Sequence, residues 1–198
     1  MPKKTKTNAP DEKPRSPREL TDEERAALYP IVLRAYDPAW PQWFAEEKAA
    51  LEALLGPENI VRVRHIGSTA VPGLLAKPTI DILLEIAEAA DMERLLAALP
   101  EPEYIPLRKE MTPGKRITII KGYLATGFAE RVYHIHMRRP GDWDEAVFRD
   151  YLRAHPEAAA AYAALKRRLQ PEYEHDRDGY TQAKGAFIRA AVEKARAT

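Results

Sequence analysis

Ile60-Val61-Arg62-Val63-Arg64-His65-Ile66-Gly67-Ser68-Thr69-Ala70-Val71-Pro72-Gly73 and, five residues on, Thr79-Ile80-Asp81-Ile82-Leu83-Leu84-Glu85-Ile86 are the stretches that decide the fold. The β-branched run over 60–66 predicts a strand, and the small and cyclic residues after it predict a tight loop. Residues 79–86 are almost continuously apolar, which suits a central strand covered on both faces. Only Asp81 and Glu85 interrupt that run.

Outward from this centre the pattern alternates between helix and strand. Before it, Trp43, Phe44, Leu51, Leu54 and Leu55 recur at helical spacing from Pro41 until Gly56-Pro57 stops them. After it, Met92, Leu95, Leu96 and Leu99 predict a helix over 91–99, closed by Pro100. Strands are predicted over 104–107, 116–120, 123–126 and 132–137, the last with period-two alternation, as an antiparallel half of the sheet. Three helices, over 144–154, 156–169 and 180–195, complete the chain. Helices gathered before and after a block of strands indicate an α+β fold, a mixed sheet flanked by helices with a C-terminal helical part.

The 198 residues are the length of one domain. Residues 1–25, with Pro2, Pro10, Pro14 and Pro17 among many charges and few large apolar residues, read as a disordered tail ahead of a domain over 26–198. The chain has no cysteine, which removes disulfides, thiolate nucleophiles and Cys-ligated metals. Its 31 Lys+Arg against 30 Asp+Glu give no net field to draw nucleic acid or a membrane surface. No apolar run approaches the roughly 20 residues needed to span a bilayer, and MPKKTKTNAP lacks the apolar core of a secretory signal, so the expected location is cytoplasmic.

The chemistry concentrates at Gly67-Ser68 and Asp81. A glycine-serine turn lets backbone N–H groups and a hydroxyl approach a phosphate, and an aspartate inside an apolar strand calls for a cationic partner, a divalent metal being the usual one. The competing reading makes Asp81 a polar corner that accepts hydrogen bonds from its own loop. His134 and His136 stand about 6.6 Å apart on one strand face, a spacing that serves one metal, one phosphate or nothing beyond cross-strand packing. With His65 they could make an Asp81-histidine group favouring zinc or manganese, and hence a metal hydrolase.

His65-Ile66-Gly67-Ser68-Thr69-Ala70-Val71-Pro72-Gly73-Leu74, with Ala76-Lys77-Pro78 and Ile80-Asp81-Ile82, resembles the signature of the GrpB family, a branch of the nucleotidyltransferase fold superfamily. The likeness runs from Tyr36-Asp37-Pro38 and Trp40, through 148–153 and His155-Pro156, to Tyr180 and Lys184. The resemblance implies a nucleotidyltransferase-like sheet and transfer of a nucleoside monophosphate from a nucleoside triphosphate to an acceptor, with Mg2+ or Mn2+. Its expected ligand is a nucleotide or other phosphorylated small molecule. It assigns phosphate seating to Gly67, Ser68 and Thr69, with His65 beside them, charge compensation to Lys77, metal ligation to Asp81 and support from His136.

One position departs from that pattern. The superfamily's active members usually carry a second acid two residues after the first, and here that residue is Leu83. Glu85 lies about 13 Å along the strand from Asp81, too far to share an ion with it. The departure opens an alternative, a non-catalytic nucleotide- or coenzyme A-related binding module with a degenerate metal site. Among the other cations, Arg64, Arg116, Lys121, Arg149 and Lys184 read as solvated before they read as substrate contacts, and Trp40 and Trp43 read as core.

Overall fold

In a computed structural model, which describes residues 16–110 and 116–197, the apolar run at 79–86 becomes an inner strand of a five-stranded mixed sheet. Helices α1 (Asp22–Leu28) and α2 (Trp40–Leu55) lead into β1 (Ile60–Ile66) and β2 (Thr79–Ile86). Helix α3 (Met92–Ala98) precedes β3 (Ile105–Glu110), β4 (Arg116–Leu124) and β5 (Gly127–Arg138). The chain closes with α4 (Asp144–Ala154), α5 (Pro156–Leu169), α6 (Arg177–Ala183) and α7 (Gly185–Arg196). The strand order is β1-β2-β5-β4-β3, and β2 pairs with β5 in parallel while its other partner, β1, and the remaining pairs are antiparallel.

Alternation along the strands divides the sheet into two chemically different faces. Ile80, Ile82, Leu84 and Ile86 join Ile119, Ile135 and Met137 in the main core under α2 and α3. Full burial of each such side chain contributes roughly 1.5–3 kcal/mol. The intervening residues of β2 face the other way. Leu83 packs with Ile66, Ala146 and the partly buried Trp143, and Glu85 is held by Arg62, Arg64 and the Gly141 N–H. On that second face α4, α5 and α7 pack together through Phe148, Leu152, Tyr162 and Val192, and α6 joins α5 through Tyr180 and Leu169.

Three expectations change. Residues 16–25 are not part of a disordered tail: Ser16 and Thr21 each head a capping box, and Leu20 is buried beside Tyr29 and Ile105. Residues 1–15 lie outside the described residues. The strands predicted at 116–120 and 123–126 are one strand that bulges at Gly122 and ends at Leu124. Gly122 has φ +83°, and a Cβ there would run into the Arg131 carbonyl. The helix predicted over 180–195 is two, breaking at Lys184-Gly185.

Candidate functional site: a cationic crevice over Asp81

The loop after β1 is shaped around the carboxylate of β2. Gly67 adopts φ +72°, and a Cβ at this position would collide with Asp81 Oδ2, so only glycine lets the backbone lie against the acid. Two arginines from α4 fix the loop from outside. Arg149 donates to the His65 carbonyl at 2.8 Å, and Arg153 donates Nε and Nη2 to the Ala70 carbonyl at 2.9 and 2.6 Å. Arg149 is therefore a loop brace and not a solvated cation.

On the sheet, Asp81 is paired in register with His134, and His136 with the next same-face residue, Leu83. Asp81 Oδ1 faces His134 Nδ1 at 3.4 Å and His136 Nε2 at 3.6 Å. The Asp81 side chain keeps 28% of its exposure and the two imidazoles 20% each, so the group borders a crevice open to solvent. Burial opposes ionisation of Asp81, but the hydrogen bonds and charge of His134 and His136 outweigh it and hold the carboxyl well below the usual range.

His134 is fully committed. Arg177 donates to the Tyr123 hydroxyl at 2.8 Å, which leaves the Tyr123 proton for His134 Nε2 at 2.7 Å. The other ring nitrogen, Nδ1, therefore carries the proton that points at Asp81. Burial depresses the imidazole's pKa more than Asp81 lifts it, in keeping with this neutral tautomer. The bulge at Gly122 makes the arrangement possible, since it places Tyr123 on the face of Ile120 and Val132 instead of that of Ile117 and Ile119.

His65 does not join this group. It is paired with Ile82 and so faces α2, where its ring stacks on Phe44 at 4.9 Å. Its Nε2 meets the Thr69 hydroxyl at 3.0 Å, and that hydroxyl donates to the Thr79 carbonyl at 3.1 Å. Burial lowers the His65 pKa to about 4, against the pull of Asp81. The side chains of His65 and Thr69 thus brace the loop, and neither side chain is free for phosphate.

Opposite Asp81 the C-terminal helices supply cations that no local pattern marked as a group. Lys166 of α5 donates to the Ser68 hydroxyl at 3.1 Å and to the Leu75 carbonyl. Lys77 and Lys184 lie over the Tyr180 ring at 5.6 and 4.2 Å from its centre. Among the described residues none of these three ammonium groups has a carboxylate within ion-pair distance. Burial, then Arg177 and Lys184, lower Lys77 to about 7, with Asp81 opposing. Burial followed by Lys184, Arg167 and Lys77 lowers Lys166 to about 7. Burial lowers Lys184 to about 8, with Asp81 opposing and Arg177 adding to the fall.

The structure therefore brings together Asp81, His136, Gly67, Ser68 and Lys77, adds Lys166, Lys184 and Arg177, and leaves out His65 and Thr69. Lys166 had one legible signal, a lysine four residues after Tyr162 and three before Leu169 on an apolar helical stripe. Arg64, Arg116 and Lys121 are engaged elsewhere, by Glu85, the Trp143 ring and Glu47. Two surface cavities of about 440 and 530 Å3 lie outside the crevice, one lined by Glu47, Lys121 and Tyr133 and the other by residues 71–74, Leu152 and Ala163. Neither is lined by Asp81.

Among the described residues, no group of three or more His, Cys, Asp or Glu side chains is disposed to hold a metal. With His134 committed and His65 on the other face, the available donors are the Asp81 carboxylate and the His136 imidazole. One carboxylate and one imidazole are too few protein ligands to cage a zinc ion. The zinc-type histidine group expected for a metal hydrolase is not assembled.

A family model described as GrpB protein matches residues 30–194. The chain is 34% identical over 175 residues to UPF0157 protein YqkA of Bacillus subtilis, an alignment covering 85% of this chain and 49% of that protein. It is 31% identical to a solved structure, conserved protein GrpB from Enterococcus faecalis, with a TM-score of 0.69 over 83% of this chain and 96% of that one. It is also 30% identical over 193 residues to a dephospho-CoA kinase of Mycolicibacterium paratuberculosis, covering 85% of this chain and 47% of that protein. The chain thus spans about half the length of two of these relatives. No helix of the described residues is long and apolar enough to cross a membrane.

Proposed function

The chain belongs to the GrpB family, and from that premise we propose that it binds a nucleoside triphosphate in the crevice over Asp81 and transfers the nucleoside monophosphate to an acceptor, releasing pyrophosphate. The observation that carries this reading is the contact of the Gly67 backbone with the Asp81 carboxylate, beside two buried lysines, Lys166 and Lys184, and the half-buried Lys77, none of which is within ion-pair distance of a carboxylate among the described residues. Such a surplus of buried positive charge is costly unless an anion completes it.

In this reading Ser68 and Lys166, already hydrogen-bonded, orient phosphate oxygens at the mouth of the loop. Lys77 and Lys184 offset the charge of the phosphates. Tyr123 and Arg177 hold His134 in the tautomer that steadies Asp81. Asp81 and His136 are the residues that would hold Mg2+ or Mn2+, which supplies neutralisation of developing charge when bound. The proposed setting is cytoplasmic, where nucleoside triphosphates are present.

Leu83 favours a second reading, a nucleotide- or coenzyme A-related binding module that has lost transfer. Its side chain is fully buried against Ile66 and Ala146, so the position usual for a second acid is sealed. The name borne by the mycobacterial relative agrees with a ligand of that class.

Pyrophosphate release from each common nucleoside triphosphate, with Mg2+ or Mn2+ and a panel of hydroxyl, phosphate and protein acceptors, tests the first reading. Release that is lost in Asp81→Asn supports it, and silence across the panel rejects transfer. Release that appears only in Leu83→Asp would assign the natural chain to the second reading.

A further inference from the structure

We propose that Lys77, Lys166 and Lys184 form a seat for linked phosphates that works without a metal, so that a diphosphate or triphosphate group docks on the C-terminal helices before any divalent ion reaches Asp81. This rests on the phosphate reading of the crevice and deepens it by naming the group recognised and the order of binding.

The three lysines come from well-separated parts of the chain, the loop before β2, the third turn of α5 and the junction of α6 with α7. Their mutual influence puts them within one electrostatic neighbourhood: Lys166 feels both others, and Lys77 feels Lys184. Relative exposure is 2% for Lys166 and 9% for Lys184, so these are built-in cations and not surface lysines. The buried Tyr180 hydroxyl, on the ring that Lys77 and Lys184 cover, has no hydrogen-bond partner.

The charge balance selects the ligand class. With all three lysines protonated, the state an arriving anion favours, they and Arg177 set four positive charges against the single Asp81, an excess of three. One orthophosphate, at about −1.5 near neutral pH, meets about half of this, whereas linked phosphates meet it fully. A metal is not needed to offset the phosphates, because the lysines already do so. Asp81 then opposes the anion until a metal or proton screens it. This gives a sign that the metal-bridged picture alone does not give: without metal, removing the Asp81 charge tightens binding.

The test is calorimetric titration of the full chain with inorganic tripolyphosphate, pyrophosphate and orthophosphate in excess EDTA at physiological salt. Expected results are saturable binding of the first two, at least tenfold weaker binding of orthophosphate, and a tenfold or greater loss in Lys184→Met and Lys166→Met. Asp81→Asn binds tripolyphosphate at least threefold more tightly than the parent chain. Thermal melts certify folding of each variant, and Lys77→Met replaces any that fails to fold. Binding that needs Mg2+, survives loss of the lysines or weakens in Asp81→Asn overturns the proposal. Metal-free binding without pyrophosphate release from any nucleotide keeps the seat and rejects transfer, while transfer without metal-free binding does the reverse.

Discussion

The two faces of the sheet each bury lysine nitrogen, and they do so under opposite rules. On the α2 face, Lys121 Nζ lies 2.8 Å from Glu47, 2.6 Å from Glu103 and 3.0 Å from the Tyr104 hydroxyl. Burial opposes its charge, but those partners outweigh burial and raise its pKa above the ordinary lysine value. On the Asp81 face, burial wins at Lys77, Lys166 and Lys184, and all three fall. A buried cation with carboxylates around it is part of the framework. One without them is stored electrostatic cost, and the protein gains when something anionic arrives.

The sharpest way to break this contrast is to remove one lysine from each face. Lys121→Met leaves Glu47 buried without its cation and is expected to destabilise the fold by about 3–5 kcal/mol in urea at pH 7. Lys184→Met removes an uncompensated charge and is expected to stabilise the ligand-free protein by on the order of 2 kcal/mol at pH 6. Equal losses in the two variants would erase the distinction between the faces.

Gly67→Ala tests whether the loop and Asp81 are one unit. The positive φ and the clash with the carboxylate predict a loss of roughly 2–3 kcal/mol and of polyphosphate binding, measured by thermal melting and calorimetry. A variant with native stability and affinity would mean that the loop yields freely.

The pH dependence sharpens the comparison further. Because the three crevice lysines have folded pKa values of about 7, 7 and 8, below the unfolded 10.5, their charging cost is fully present below pH 7. It is relieved as pH rises toward 10.5, since the unfolded chain then binds more protons than the folded one. Lys121 contributes oppositely, its stabilisation being lost only above 10.5. Ligand-free stability is therefore expected to rise from pH 7 to 9.5, with a shallower slope in Lys184→Met. A flat or falling profile would contradict the unbalanced charge.

The smallest effect is expected from Tyr123→Phe, about 1–2 kcal/mol, because the hydrogen bond to His134 and the one accepted from Arg177 are both lost. The nitrogen shifts of His134 in NMR should then report loss of the single tautomer. Unchanged shifts would show that Asp81 alone orients the ring.

Much of the framework was legible from local pattern. The strands at 60–66 and 79–86 and the helices at 144–154 and 156–169 follow from apolar period, proline and flanking turns, and the structure places them within a residue of expectation. The nearness of the glycine-serine loop to Asp81 was also legible, and Leu83 was legible as a departure from the family's acidic pattern. The Gly122 bulge was not, because a glycine between two short apolar runs reads equally well as a break between strands. The lysine grouping was hidden for another reason, since Lys77, Lys166 and Lys184 come from distant parts of the chain and only Lys77 lies beside the glycine-serine signature.

What the sequence by itself determined is therefore the order of elements and the alternation within each strand, both set by forces acting over a few residues. Which of three histidines meets Asp81, and that Lys166 reaches Ser68 from 98 residues away, were decided only by tertiary structure. Period-two alternation says which side chains share a face but not what covers that face. That choice belongs to the packing of whole layers, where burial and charge are settled together.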